Sequence, residues 1–469
     1  MVEINLRHLC GAMWGELGHH GIICKFVSAH ACHKFKGILV PYMQQKTCAE
    51  MGDFMRILWL CNTPLPAVAR RFGSSGSTAS WLVGISGELK KEKECELCIV
   101  FPQSSSPNDV KIHEQGIYYV GLHKKDIDTA EYSSAFEEKL QCCVREWKPD
   151  IIHIFGTEYT HTLEMIHAVR QRARIAVSIQ GLISVCALHY NDGIAEIDRL
   201  RPVWHKNAFA SLSLEQREFA RRGKNEVQAI RQVKHVIGRT DFDYACVKRI
   251  NPECIYHKCN ETMRDAFYHE KWDVGTAKRH SVFISQGSYP VKGLHYMVKA
   301  LALIRKNYPD CMVTVAGSDD FIKGKDKTPY GRYIERLIGR YHLQDNIRFL
   351  GYHSEKNMVS RLLESHVHVS CSNIENSPNC VGEAMLVGTP TVAAMAGGMA
   401  SLLEHGTEGF LYQHNAPYML AYYIQKIFES DGLAMEISEA GRKKAGILYN
   451  AENNRKVLLG IYQDILNEL

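Results

Sequence analysis

Glu375 and Glu383 stand eight positions apart around Ser377-Pro378 in the run Glu375-Asn-Ser-Pro-Asn-Cys-Val-Gly-Glu383. Ser377 is a good N-cap, and Pro378 suits a first helical position, where a missing N–H costs nothing. The spacing therefore predicts a helix whose N–H groups at Asn379, Cys380 and Val381 face outward, as a site for phosphate or diphosphate. Glu383, one turn into that helix, can accept hydrogen bonds from sugar or ribose hydroxyls. Glu375, on the loop before it, can hold hydroxyls on the other side. An anion site bracketed by two hydroxyl acceptors fits a nucleotide-sugar.

A second run, Ser285-Gln-Gly287-Ser-Tyr-Pro-Val-Lys292-Gly293-Leu294, follows a strand and opens a helix. Lys292 is a compact point charge suited to a diphosphate, and Gly293 permits close backbone approach. Arg239, in Gly238-Arg-Thr-Asp241, is the candidate for a second cation. Gly73-Ser-Ser-Gly76-Ser77 joins the first strand to the first helix, where Ser77 can cap. Glu158 follows the apolar strand Ile151–Ile154, at the end where ligands collect in such folds, whereas His153 within that strand reads as a core histidine.

The Glu375–Glu383 spacing resembles the E-x7-E motif of retaining glycosyltransferases with the GT-B fold, the family-4 or group 1 kind. The resemblance runs on through Glu383-Ala-Met-Leu-Val-Gly388-Thr-Pro390, Gly397-Gly398 and Glu408-Gly409, and is strong over roughly residues 280 to 412. It implies two Rossmann-like doubly wound domains facing a cleft, with a last helix crossing back to the first domain. It implies transfer of a hexosyl group, with retention, from a nucleotide-diphosphate-sugar to an acceptor hydroxyl, with no cofactor and no metal. Lys292, Glu375 and Arg239 are then expected to carry catalysis. Glu383, Asn379, Cys380, Val381, Gly76 and Gly351 are expected to bind the donor, and Glu158 and Gln180 the sugar or acceptor.

Two positions depart from the family pattern: Gly287 stands where an Arg is usual, and Gln180 where many members carry His. The resemblance further implies bacterial surface polysaccharide or glycolipid synthesis, with a glycan or lipid-linked acceptor. The setting it implies is the cytoplasm, with peripheral contact at the inner face of the plasma membrane. A non-catalytic nucleotide-sugar-binding protein and a nucleotide-sugar epimerase are the alternatives.

The 469 residues, 45% hydrophobic and 23% charged, predict two domains. The net charge of +5 is small and dispersed, which argues against a nucleic-acid partner. No apolar run reaches the ~18 residues of a membrane-spanning helix. The 16 cysteines sit largely in apolar strands and read as reduced, buried thiols.

Strands are predicted at Ile57–Cys61, Leu97–Phe101, Tyr118–Val120, Ile151–Ile154, Ile175–Ile179 and His235–Gly238. A second alternating run begins at Ser281–Ser285, followed by Met312–Ala316, Ile347–Phe349, His366–Ser370 and Thr391–Ala394. Helices include Ser77–Lys91, Ala135–Trp147, Leu294–Asn307, Tyr330–Tyr341 and Glu355–Glu364. The expected parts are an extension over 1–54, a first domain over 55–265, a nucleotide-sugar domain over 266–448 and a crossing helix over 449–469. The extension carries His30-Ala-Cys32-His33, whose spacing matches no zinc pattern. Arg201-Pro-Val-Trp204-His-Lys206 reads as a solvated loop that could touch a membrane or acceptor.

Overall fold

The computed structural model describes residues 54–72, 79–206 and 208–468. The extension and the Gly76 loop therefore lie outside the described residues. The first sheet contains β1 (Met55–Leu60), β2 (Cys95–Gln103), β3 (Val110–Glu114), β4 (Ile117–His123), β5 (Ile151–Phe155) and β6 (Ile175–Ser178). A separate hairpin pairs β7 (Val203–His205) with β8 (Ala208–Ala210), and the first sheet is completed by β9 (His235–Gly238) and β10 (Ile255–Lys258). Its order is β10-β9-β6-β5-β1-β2-β4-β3, parallel throughout except for the β3–β4 hairpin.

Parallel sheets are covered on both faces, so their strands read as unbroken apolar runs. Ile57, Leu58, Trp59 and Leu60 of β1 are all fully buried. Alternation sends Leu58 and Leu60 into one core with Leu140 and Trp147, and Ile57 and Trp59 into the other.

The second sheet is wholly parallel, in the order β13-β12-β11-β14-β15-β16. Its strands are β11 (Lys278–Ile284), β12 (Met312–Ala316), β13 (Ile347–Gly351), β14 (Ser365–Ser370), β15 (Thr391–Met395) and β16 (Phe410–Gln413). The helices around it include α1 (Leu294–Ile304) and α2 (Asn379–Val387), both largely buried. After them the chain returns to the first sheet through α3 (Ala451–Asn467). Leu458, Ile461, Tyr462 and Ile465 lie at one-face helical spacing and are buried in the core that holds Ile57 and Trp59. This two-sheet arrangement with a crossing helix is the GT-B fold.

Several elements differ from the sequence expectation. The helix expected over Ser77–Lys91 is a 3-10 turn at Ser80–Leu82 followed by Val83–Leu89. The β3–β4 hairpin was not expected; it turns through Gln115 and Gly116, both at positive φ. The Arg201–Lys206 stretch holds the strand β7 at its centre rather than being loop throughout, and it exposes Trp204 edge-on to Phe209. Among the described residues no helix is long and apolar enough to cross a membrane.

Tyr462 closes the joint between α3 and the first sheet: its hydroxyl accepts from Trp59 Nε1 at 3.0 Å and lies 2.6 Å from His153 Nδ1. His153 is a core histidine, held neutral by burial with a pKa of about 3. Tyr462→Phe would leave buried polar atoms on two neighbours without a partner, costing about 1–3 kcal/mol. Urea unfolding monitored at Trp fluorescence should show that loss, and an unchanged midpoint would show that the network does not hold the helix.

Candidate active site

Lys292 sits at the end of a short 3-10 turn, Pro290–Lys292, that follows β11. The next residue, Gly293, has φ 66°, and a Cβ there would lie 1.8 Å from the Cys371 carbonyl oxygen. Only glycine permits that approach. It brings Lys292 Nζ within 2.6 Å of Glu375 Oε1, which also accepts from Ser372 Oγ at 2.7 Å. Burial disfavours the ammonium most strongly of any single influence, but the Glu375 carboxylate together with the Tyr289 and Cys380 side chains offsets it and holds Lys292 charged, above the ordinary lysine range. The side chains remain 20% and 13% exposed, toward a cleft of about 630 Å³ between the two domains.

Helix α2 opens on the same cleft. It begins at Asn379, with Pro378 still extended (φ −69°, ψ 121°) and no side-chain cap. Ser377 lines the cleft rather than capping the helix, which corrects the sequence reading. The Val381 N–H is likewise spent on the Pro378 carbonyl at 3.1 Å, and Val381 itself is core. Among the described residues the N–H groups of Asn379 and Cys380 have no acceptor, which leaves a positive helix terminus beside Lys292. The Cys380 thiol is pushed up to about 12 by burial and by Glu375, so it is not a nucleophile.

The opposite wall comes from the first domain. Glu158 and Gln180 both line the cleft. Glu158 accepts from the Gly181 N–H at 3.0 Å and from Asn62 Nδ2 at 3.4 Å, and burial raises its pKa. Behind it stands Glu226, 1% exposed, on α4 (Leu212–Arg231). Its carboxylate accepts from Thr157 Oγ1 at 2.7 Å, from the Ile183 and Ser184 N–H groups at 2.9 Å each, and from the Ser184 hydroxyl. Glu226 thus ties the Glu158 loop to the Gln180 loop. Two asparagines of the second domain join the walls: Asn376 bonds Thr240 Oγ1 at 2.9 Å, and Asn373 Nδ2 donates to the His189 carbonyl at 2.8 Å.

Residues 267–444 match the family described as Glycosyl transferases group 1. The matched stretch is the second-sheet domain, and the chain is similar to group 1 glycosyltransferases, with the GT-B fold. It is 21% identical over 416 residues to YtcC of Bacillus subtilis, named as a glycosyltransferase, covering 88% of this chain and 93% of that one. Two other curated relatives are matched over only 53% and 43% of their own length. Among solved structures it resembles sucrose-phosphate synthase from Thermosynechococcus elongatus, at TM-score 0.66 and 17% identity. That match covers 88% of this chain and all of the other. Alr3699/HepE of Anabaena, solved in complex with UDP-glucose, superposes at TM-score 0.61 with 16% identity, again over 88% of this chain and all of that one.

Three expected site residues are placed elsewhere. Arg239 is buried, ion-paired with Glu261 and bonded to the Ile179 carbonyl at 2.8 Å, and it does not line the Lys292 cleft. It is therefore no second cation for a diphosphate there. Glu383 is turned toward the interdomain linker, where Arg264 grips it through both Nε and a terminal nitrogen. Gly351 ends β13 at φ 74°, its carbonyl accepting from Gly317 N–H at 3.1 Å, away from that cleft.

Gly287, at the position of the family's Arg, is packed: a Cβ there would lie 3.0 Å from Val315 Cγ1 and 3.1 Å from Leu294 Cδ2. The cation that does line the cleft from the first domain is Arg222, which the sequence did not single out because it sits in an ordinary charged helix. Among the described residues no three His, Cys, Asp or Glu side chains gather to hold a metal.

Burial pushes the Glu226 carboxyl up to about 7 against the donors that favour its charge. Its ordinary value is about 4.3, so ionisation opposes folding as pH rises from there through 7, and the effect is complete above. Glu226→Gln removes this ionisation. Between pH 5 and 8 the wild type should lose roughly 2–4 kcal/mol relative to the variant in urea unfolding. A difference that stays constant with pH would show that Glu226 is ionised throughout.

Proposed function

We propose that this chain is a glycosyltransferase that moves a hexosyl group from a nucleoside-diphosphate-sugar to an acceptor hydroxyl with retention of anomeric configuration. The observation that carries the reading is the convergence of Lys292, Glu375 and the open α2 terminus on one interdomain cleft. A charged lysine and two free amides match a diphosphate whose negative charge grows as the sugar leaves, and such preorganised charge is commonly the largest catalytic effect. Glu375, released from Lys292 by the incoming anion, would accept sugar hydroxyls. The Anabaena relative solved with UDP-glucose supports this class of donor.

In this scheme the C–O bond to the diphosphate breaks as the acceptor oxygen approaches from the same face. A diphosphate oxygen takes the hydroxyl proton, so no protein nucleophile is required and no resident cofactor enters. Glu158 and Gln180 would position the sugar and acceptor. Glu383 serves the donor side through α2, which its ion pair with Arg264 steadies.

The setting proposed is bacterial surface polysaccharide or glycolipid synthesis, in the cytoplasm or at the inner face of the membrane. The β7–β8 hairpin supports membrane contact, since it exposes Trp204 and Phe209 (54% and 70%) beside Arg201 and Lys206. Aromatic rings with flanking basic groups favour an anionic interface.

Thermal unfolding with a panel of nucleoside diphosphates should reveal a stabilising one, and the matching nucleotide-sugar should give transfer. Lys292→Ala should lower turnover at least about a hundredfold with the fold retained. The product's anomeric configuration, read by NMR, should equal the donor's. An inverted product would overturn retention, and epimerised nucleotide-sugar formed without any acceptor would favour the epimerase alternative.

A further inference from the structure

We propose that Arg222 forms a binding site for an anionic group, a carboxylate or phosphate, carried by the acceptor. This rests on the glycosyltransferase reading of the cleft. Among the described residues three cations are buried: Lys124, Arg222 and Arg239. Lys124 is paired with Glu164 and Arg239 with Glu261, but Arg222, only 8% exposed, has no ion pair. Its Nε has no hydrogen-bond partner either. Burying a charge without a counter-charge is costly, and a protein that does so keeps the site for something else.

The neighbouring carboxylates are already committed. Glu226, one turn along the same helix, is spent on Thr157, Ile183 and Ser184. Glu158 feels the Arg222 charge but bonds Gly181 and Asn62. Two rings hold the guanidinium in place: its carbon lies 4.6 Å from the Phe219 centroid and 5.2 Å from that of Tyr159. A planar cation stacked on aromatic faces is oriented without being neutralised, and its fork matches a carboxylate or phosphate edge.

Placement decides which substrate carries the anion. Arg222 lines the first-domain wall, whereas Lys292 and the α2 terminus, where a donor diphosphate would sit, lie on the second-domain wall. Asn62 and Tyr159 belong both to this cleft and to an adjoining cavity of about 880 Å³ in the first domain. That cavity is walled by polar groups including Gln103, Ser104, Ser105 and Thr129. It offers a hydrophilic, hydroxyl-bearing acceptor room beyond the anion.

The test titrates the full chain with glycerol 3-phosphate and glucuronate against their neutral counterparts, glycerol and glucose. Calorimetry is run with and without saturating UDP. In the wild type at least one anionic probe should bind about tenfold or more tighter than its neutral partner. Arg222→Gln should abolish that preference while leaving UDP affinity within about twofold, and the exposed control Arg217→Gln should keep it. Arg222→Lys, which retains charge without the fork, should weaken the preference, and it carries the test if the Gln variant does not fold. Equal binding of charged and neutral probes by the wild type would overturn the proposal. So would a loss of UDP affinity of about tenfold in either Arg222 variant, which would make Arg222 a donor-side cation. Failure of the wild type to bind any nucleoside diphosphate would count against the donor reading and leave the UDP-free comparison of probes standing.

Discussion

The close approach of the Gly293 backbone to the Cys371 carbonyl is the constraint on which the second-domain wall depends. Two loops, one after β11 and one after β14, must meet for a lysine on the first to reach a glutamate on the second. They lock through main chain: Asn373 N–H donates to the Val291 carbonyl at 2.7 Å, and the Cys371 thiol lies 3.4 Å from the Lys292 carbonyl. A side chain at residue 293 would force them apart, and with them the Lys292–Glu375 pair. The positive φ of Gly293 is thus a condition of the electrostatics rather than a local detail.

The first-domain wall is built on a different device. There the loops after β5 and β6 are joined chiefly through carboxylates: Glu226 gathers donors from both, and Glu158 accepts from the Gly181 N–H. A carboxylate taking several charge-assisted bonds is a strong local clamp, but burial opposes its ionisation, so the clamp operates near its titration range. The two walls therefore differ in kind. One is rigid through sterics, while the other is held by a group that can change charge. The asparagines Asn373 and Asn376 bridge them with neutral bonds that do not compete with either.

Much of the fold was legible because parallel strands buried on both faces declare themselves as apolar runs. His235–Gly238 and Met312–Ala316 fall where the sequence placed them, and most others agree within one or two residues. The β3–β4 hairpin was hidden because β3 is half-exposed and carries Lys111, His113 and Glu114 in place of an apolar run. At the site, the placing of Lys292 and Glu375 on loops that line the cleft followed from local signals, a strand end, a glycine and a loop before a helix, whereas their pairing did not. Arg239, Glu383 and Arg222 did not, because their partners lie far away in sequence. No local pattern reveals that Glu261 takes Arg239, that Arg264 takes Glu383, or that no carboxylate among the described residues pairs with Arg222.

That distribution of partners gives the two glutamates of one short motif separate work. Glu375 remains partly exposed in the cleft, paired with a flexible lysine that an incoming anion can draw away. Glu383 is buried, and burial lifts its pKa; the Arg264 guanidinium opposes that lift and favours its charged form. Arg264 itself lies over the Phe267 ring at 4.7 Å, in the segment that joins the two sheets. One residue before Glu383, Gly382 is closely packed by Met263 and Tyr449, so α2, the linker and the start of the return path to α3 meet at a single point. The helix whose terminus faces the cleft is therefore anchored at its other carboxylate to the segment on which any relative movement of the domains must turn. An anion bound at Asn379 and Cys380 would act on that junction through less than two turns of rigid helix.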